Sequence, residues 1–157
     1  MKPKLYLETT IPSLLTGWPS RDLQVAAHQQ ATAEWWRRRR SDFDIFISQL
    51  VLDEAAGGDP EAAKLRLEAL ADFPLLDATE EAAELALKLL APNLLPPRAA
   101  KDADHIALAA VHKMHFLLTW NCTHINNAAI VPALARICRA AGYEPPLICT
   151  PEELMGE

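Results

Sequence analysis

Short segments in which apolar residues alternate with polar ones predict five β-strands along the chain. In the first of them, Leu5 and Leu7 alternate with Tyr6 and Glu8. The last one is only three residues long and follows a pair of prolines. The predicted strands are 4–8, 43–48, 73–76, 116–120 and 147–149.

Longer segments with helical spacing separate the predicted strands. Ser20 is expected to cap the first helix, and Thr79 is expected to cap a later one. Before Ser20, the segment 12–19 contains two prolines and a glycine, so we predict irregular structure there. Pro60 fits the first turn of a helix that follows Gly57 and Gly58. The predicted helices are 21–40, 49–56, one beginning at 59–61, 79–91, 101–113 and one ending at 141, and the segment 93–99 is predicted as a loop.

Alternation of strands with helices favours parallel crossover connections. We therefore predict an α/β fold, a three-layer sandwich with a central, mainly parallel sheet. The chain has 157 residues, which is the size of one ordinary domain, so we expect a single domain over 1–157.

Composition excludes several classes of protein. Half of the residues are hydrophobic and 23% are charged, which argues against a disordered chain. The net charge of −6 argues against a protein that coats nucleic acid through its overall field. The five glycines do not fall at the spacing of a phosphate-binding loop. Three cysteines give no disulfide framework, and no apolar run reaches the length of a membrane span, so we expect a cytoplasmic protein without a membrane segment.

Acidic and amide side chains fall where the predicted strands end or helices begin. Ligands of open α/β sheets gather beyond the carboxyl ends of the strands, so Glu8, Glu54, Asp102, Asp104 and Asn121 are candidates. Two unit charges 4 Å apart repel by roughly 4 kcal/mol at an effective dielectric near 20. A divalent cation removes that cost, and oxygen ligands favour Mg²⁺ or Mn²⁺ over Zn²⁺. The alternative is that the three acids on helices are solvated charges or helix caps.

Histidines offer a second possible metal chemistry. His112 and His115 lie three residues apart, but no cysteine or third ligand stands at a zinc spacing beside them. We therefore expect His105 and His124 to pack or to line a pocket rather than to bind metal. The cysteines are expected to fill apolar space.

Four segments, taken in order, resemble the PIN-domain family. They are 6–12 (YLETTIP), 52–54 (LDE), 102–107 (DADHIA) and 118–121 (LTWN). More narrowly, the chain is similar to the VapC-type toxin ribonucleases of bacterial toxin–antitoxin pairs. The resemblance covers nearly the whole chain and keeps the order of the motifs.

The resemblance implies a metal-dependent endoribonuclease. Members of the family hold Mg²⁺ or Mn²⁺ with acids at one end of a parallel sheet, and the ion activates water for cleavage of an RNA phosphodiester. By position, the metal-binding acids fall on Glu8, Glu54 and Asp102, and the polar catalytic position after the fourth strand falls on Asn121. The supporting positions are Thr9, Thr10, Thr119 and Asp104, and Asp104 competes with Asp102 as the third acid.

Two positions depart from the family pattern. The usual first Asp is Glu8, and the fourth position, often Asp, is the neutral Asn121. The cleft would therefore carry one negative charge fewer. The alternative function is a catalytically weak PIN-fold module that binds RNA or a protein partner.

Basic residues suggest contacts for a partner. Arg98 and Lys101 stand just ahead of the predicted site and are candidates to hold RNA phosphates. The arginine run 37–40 either complements a helix end, with Glu34 pairing to Arg38, or docks RNA or an antitoxin. The resemblance also implies a small antitoxin protein as partner and a homodimer, the commonest symmetric assembly.

Overall fold

A central sheet of five parallel strands organises the computed structural model, which describes residues 1–156. The strands lie side by side in the order β3-β2-β1-β4-β5. This arrangement confirms the predicted α/β fold with its parallel sheet. The strands are β1 (Lys4–Leu7), β2 (Asp44–Ser48), β3 (Leu75–Leu76), β4 (Phe116–Leu118) and β5 (Leu147–Cys149).

The described residues form seven α-helices, which connect the strands. They are α1 (Thr10–Thr16), α2 (Leu23–Arg38), α3 (Gln49–Ala55), α4 (Pro60–Leu70), α5 (Glu80–Leu90), α6 (Ala100–Val111) and α7 (Val131–Ala140). Helix α1 packs against α2 and α4, whereas α5 packs against α6 and α7. Right-handed crossovers place α1–α4 on one face of the sheet and α5–α7 on the other, which gives three layers. Within residues 1–156, no helix has the length and apolar character needed to cross a membrane.

The central strand β1 is buried on both faces. Leu5, Tyr6 and Leu7 each have no exposed surface, as expected where helices cover both sides of a parallel sheet. The alternation that predicted this strand therefore does not separate a core face from a solvent face. The alternation instead places Tyr6, which carries a hydroxyl, on one face of the sheet and its apolar neighbours on the other.

The order of the strands creates a crevice between β1 and β4. After β1 the chain builds β2 and β3 on one side, and then returns to add β4 and β5 on the other. Ligand sites of open α/β sheets lie at such reversals, beyond the carboxyl ends of the strands. Glu8 follows β1 and Thr119 follows β4, and the backbone N–H of Glu8 donates to the carbonyl of Leu118 at 3.1 Å. The fold thus places these two side chains at the reversal.

The region before α2 differs from the prediction. The segment predicted as irregular contains helix α1. Pro12 is the third residue of that helix, where its missing N–H has no intrahelical partner to lose. Helix α2 begins at Leu23 and ends at Arg38, inside the predicted bounds, and its cap is Asp22, not Ser20: the Asp22 carboxylate accepts from Val25 N at 3.0 Å.

Other boundaries agree more closely. The predicted roles of Pro60 in a first turn and of Thr79 as a cap are confirmed, since Thr79 Oγ1 accepts from Ala82 N at 3.2 Å. The predicted loop at 93–99 contains a short 3-10 turn at Pro97–Ala99. Strand β4 ends two residues earlier than predicted, so Thr119 and Trp120 belong to a loop that leads into α7.

Candidate metal centre

Glu8 is a buried carboxylate held by hydroxyl and amide donors. Only 4% of the residue is exposed. Its Oε1 accepts hydrogen bonds from the backbone N–H and the hydroxyl of Thr10 and from the hydroxyl of Thr119, which lies 2.7 Å away. Within residues 1–156, no protein donor contacts Oε2 of the same carboxylate. One oxygen is therefore engaged by the protein, and the other is left for a ligand.

Glu54, which follows β2 in the chain, has the same arrangement. It lies on α3, and its Oε1 accepts from Thr9 Oγ1 and from His105 Nε2, both at 2.7 Å. Burial acts to raise the pKa of Glu54, but the hydrogen bonds from His105 and Thr9, with the positive charge of Lys101 nearby, outweigh it and lower the pKa. In the part of the chain that the structure describes, Oε2 of Glu54 also has no protein donor.

A buried hydrogen-bond relay orients His105. Its Nδ1 lies 2.6 Å from the Tyr6 hydroxyl, which lies 2.8 Å from Ser48 Oγ. Ser48 Oγ already accepts from Val51 N at 3.3 Å, so its own hydrogen is available to Tyr6. The network is satisfied when Ser48 donates to Tyr6, Tyr6 donates to Nδ1, and Nε2–H donates to Glu54. In this assignment the Nε2–H of His105 points to Glu54.

Tyr6 is suited to its place in the relay. Its burial raises the pKa of the hydroxyl well above the ordinary value, and the negative charges of Glu8, Glu54 and Asp104 add to the effect. The hydroxyl therefore keeps its proton and remains a donor to His105. All three carboxylates lie close enough to Tyr6 for this influence to act.

Glu8, Glu54 and His105 form a group that can bind a metal ion. One ligand atom from each residue lies within 4.8 Å of the other two. The sequence predicted the two carboxylates here and gave His105 a pocket-lining role. The hydrogen count leaves Nε2 of His105 as a donor to Glu54, so the free ligand atoms are the Oε2 atoms of the two glutamates. Carboxylate oxygens are the ligands that hard divalent cations prefer.

Asp102 lies beside this group. Its Oδ1 accepts from Asn121 Nδ2 at 3.1 Å, and its Oδ2 accepts from His124 Nδ1 at 3.0 Å. Thr119 links it to Glu8, because the Thr119 hydroxyl accepts from Asn121 N at 2.9 Å while it donates to Glu8. Among the described residues, both oxygens of Asp102 thus have protein partners, whereas each of the two glutamates has a partner on Oε1 only.

Asp104 faces a different region from Asp102. Two residues correspond to roughly 200° around a helix, and Asp104 lines a pocket between α3, α5 and α6. Burial raises its pKa, and the nearby His105 only partly offsets this. The two acids that compete for the third position in the sequence therefore occupy separate surroundings.

Trp120 connects the loop after β4 to α1 and α2 through two hydrogen bonds. Its backbone N–H donates to Thr10 Oγ1 at 2.8 Å, and its indole N–H donates to Thr32 Oγ1 at 2.8 Å. The ring of His28 stacks on the indole with centroids 4.0 Å apart. The hydroxyl of Thr10 thus accepts from Trp120 and donates to Glu8, which couples this loop to the carboxylate. Sequence reasoning did not single out Thr32 or His28.

The basic residues divide into two sets. Arg98 and Lys101 are exposed beside the start of α6, and the charge of Lys101 acts on Glu54. The predicted pair of Glu34 with Arg38 is present at 3.0 Å. Two further members of that run are also engaged locally: Arg39 pairs with Asp42 at 3.3 Å, and Arg40 lies 4.7 Å above the Trp36 ring.

No protein-family model matches this sequence, and no curated protein matches it either. The function is therefore argued from the geometry of the site.

Proposed function

We propose that this protein is a metal-dependent endoribonuclease that hydrolyses RNA phosphodiester bonds. The observation that carries the proposal is the pairing of Glu8 with Glu54 at the reversal of the strand order. Each carboxylate has one oxygen fixed by protein donors and one oxygen without them. Such a pair suits Mg²⁺ or Mn²⁺, the ions that the PIN-like sequence motifs imply.

The residues of the site take separate roles in this proposal. Glu8 and Glu54 would hold the cation with the carboxylate oxygens that have no protein donor. When bound, the cation neutralises phosphate charge and lowers the pKa of a bound water. Partners that orient metal ligands matter for affinity almost as much as the ligands, and Thr9, Thr10, Thr119 and His105 take that part.

Asp102 lies beside the cation site, and the basic residues Arg98 and Lys101 serve the RNA. Asp102, held by Asn121 and His124, stands next to the cation site on the side of the β4 loop. Lys101 and Arg98 supply positive charge at the entrance, which a chain with a net charge of −6 needs locally in order to attract phosphates. The two basic residues position the backbone of the RNA without reading its sequence.

The likeness to VapC-type toxins extends the proposal to partners. We propose a small antitoxin that inhibits the nuclease, and a homodimer as the assembled form. Trp18 and Leu23, near the start of α2, are 89% and 88% exposed. Exposed large apolar side chains of this kind favour contacts with another protein. Light scattering of the purified chain at micromolar concentration tests the dimer independently of catalysis.

A second candidate function is a module that binds RNA and does not cleave it. Asn121 favours this candidate, because its amide is engaged at both ends. Its Nδ2 donates to Asp102, and its Oδ1 accepts from the backbone N–H groups of Thr123 and His124 at 3.3 and 3.0 Å. Because this side chain is neutral and already hydrogen-bonded, the site carries less negative charge for a cation than it would with an aspartate at position 121.

Cleavage of assorted RNAs with Mn²⁺, Mg²⁺ or EDTA separates the two candidates. The nuclease proposal expects cleavage with either metal, none with EDTA, and loss of cleavage in Asp102→Asn. The exposed Asp72 precedes β3 and so lies at the amino ends of the strands, whereas the site lies at their carboxyl ends. Asp72→Asn is therefore the matched control and should cleave as the parent does. RNA binding without cleavage in every condition would reject the nuclease and support the binding module.

A further inference from the structure

A second recess lies next to the candidate metal centre, at the carboxyl ends of β2 and β3. It is an open, mainly apolar pocket of about 210 Å³ between the first turns of α3 and α5 and the side of α6. Apolar pockets with a few polar groups are the usual form of small-ligand sites. The wall residues used below are Ser48, Leu76, Thr79, Ala83, Asp104 and Leu108.

The pocket and the metal centre share a wall. The hydroxyl of Ser48 lines the pocket and bonds to Tyr6, which bonds to His105, which bonds to Glu54. Asp104 lines the pocket from α6 and directly precedes His105 in the chain. These three short contacts, of 2.8, 2.6 and 2.7 Å, keep Glu54 within about the length of one nucleotide from the pocket wall.

The pocket offers a ligand an acceptor group, the carboxylate of Asp104, and a hydroxyl donor, Thr79. Within residues 1–156, no protein donor lies within hydrogen-bond distance of the Asp104 carboxylate. Thr79 Oγ1 accepts from Ala82 N at 3.2 Å and keeps its own hydrogen to donate. An unpaired carboxylate repels a phosphate, so the part of an RNA that fits here is a base.

We propose that this pocket binds one unstacked guanine of the RNA substrate, with Asp104 accepting its N1–H and N2–H groups. This inference rests on the proposed nuclease function and names the RNA base that the nuclease would recognise. Guanine carries two adjacent N–H donors on its Watson–Crick edge, and a carboxylate accepts both. Adenine and cytosine place a ring acceptor beside their amino group, and uracil places carbonyls on both sides of its N–H. The apolar walls at Leu76 and Leu108 suit the flat faces of a base.

Binding of mononucleotides tests the pocket apart from catalysis. We expect guanosine 5′-monophosphate, titrated by NMR in Mg²⁺, to bind the full chain roughly 10- to 100-fold more tightly than adenosine 5′-monophosphate. Inosine 5′-monophosphate lacks the N2 amino group and should fall between them. The preference should disappear in Asp104→Asn and persist in Asp72→Asn, which removes the same charge at an exposed residue outside the pocket wall.

A second variant blocks the pocket without touching Asp104. Ala83 is exposed on α5, so Ala83→Leu should fold normally, weaken the binding of guanosine 5′-monophosphate and leave Mn²⁺ binding unchanged. Equal binding of the three nucleotides by the parent, or an unchanged preference in Asp104→Asn, would overturn the proposal. A parent that prefers guanine but cleaves no RNA would reject only the nuclease. A parent that cleaves RNA without a guanine preference would reject only the pocket.

Discussion

His105 Nε2 lies 2.7 Å from Glu54 Oε1, although the two residues are 51 positions apart in the chain. The imidazole has no exposed surface, and its other nitrogen contacts Tyr6. Glu54 is therefore held in one orientation by the protein itself. Donors of this kind, together with the threonines around Glu8, offset the repulsion that crowded carboxylates would otherwise suffer.

The relay predicts a stability cost for Tyr6→Phe. The variant removes the hydroxyl that donates to His105 and accepts from Ser48, and it leaves buried polar atoms without partners. We expect the free energy of unfolding in urea to fall by about 1–3 kcal/mol. Tyr143→Phe is the matched control, because that half-buried hydroxyl has no hydrogen-bond partner among the described residues. Equal losses in the two variants would contradict the relay.

Much of the fold could be predicted because it depends on local patterns. The alternation around β1 and β2, the cap at Thr79 and the proline at the start of α4 are all signals within a few residues. Local patterns do not predict helix α1, because proline and glycine usually interrupt helices. Pro12 instead lies in the first turn, and Gly17 lies just past the last turn.

The site could be predicted only in part. Glu8 and Glu54 follow strand ends, so their convergence follows from parallel topology. The role of His105 depends on how α3 and α6 pack across the sheet, which no local pattern encodes. A weak signal existed: Asp102 and His105 are three residues apart and so lie on the same side of α6.

Orientation of Glu54 should matter for metal affinity. Thr9→Val keeps the size of the side chain but removes the hydroxyl that donates to Glu54. We expect Mn²⁺ affinity, measured by calorimetry, to fall about 10- to 100-fold, as for other partners of metal ligands. Thr123→Val alters an exposed threonine and should bind Mn²⁺ as the parent does. If both variants bind equally well, Thr9 has no part in the site.

Asn121→Asp should make stability depend more strongly on metal. The amide that donates to Asp102 becomes a second carboxylate about as close as the 3.1 Å of the present contact. With EDTA we expect the free energy of unfolding to fall by about 1–3 kcal/mol. Mn²⁺ bound at the neighbouring glutamates should offset the added negative charge and reverse the loss. Asn127→Asp serves as control, and a variant that Mn²⁺ stabilises no more than the parent would refute the expectation.

Buried thiols predict a loss of stability at alkaline pH. Burial raises the pKa of Cys138 to about 11 and that of Cys149 to about 12, from an ordinary value of 9.0, and the pKa of Tyr6 is raised as well. Well below pH 9 these groups are protonated in both the folded and the unfolded state, so they do not make stability depend on pH. As the pH rises above 9, the unfolded chain loses these protons first, so stability falls. Urea unfolding at about pH 8 and about pH 10 measures the fall in the free energy of unfolding. That fall should be smaller in Cys149→Ala. A fall unchanged by that substitution would exclude Cys149 as a cause.

The binding of Mn²⁺ to the full chain, measured by calorimetry and by electron paramagnetic resonance, tests the central claim most directly. We expect one ion per chain in the parent, and affinity lowered by at least about tenfold in Glu8→Gln and in Glu54→Gln. Asp53 is the exposed neighbour of Glu54 in the chain, and its own carboxylate accepts from Gln49 at 2.9 Å. Asp53→Asn should therefore bind Mn²⁺ as the parent does. Equal Mn²⁺ affinity in all four proteins would contradict a cation site formed by Glu8 and Glu54.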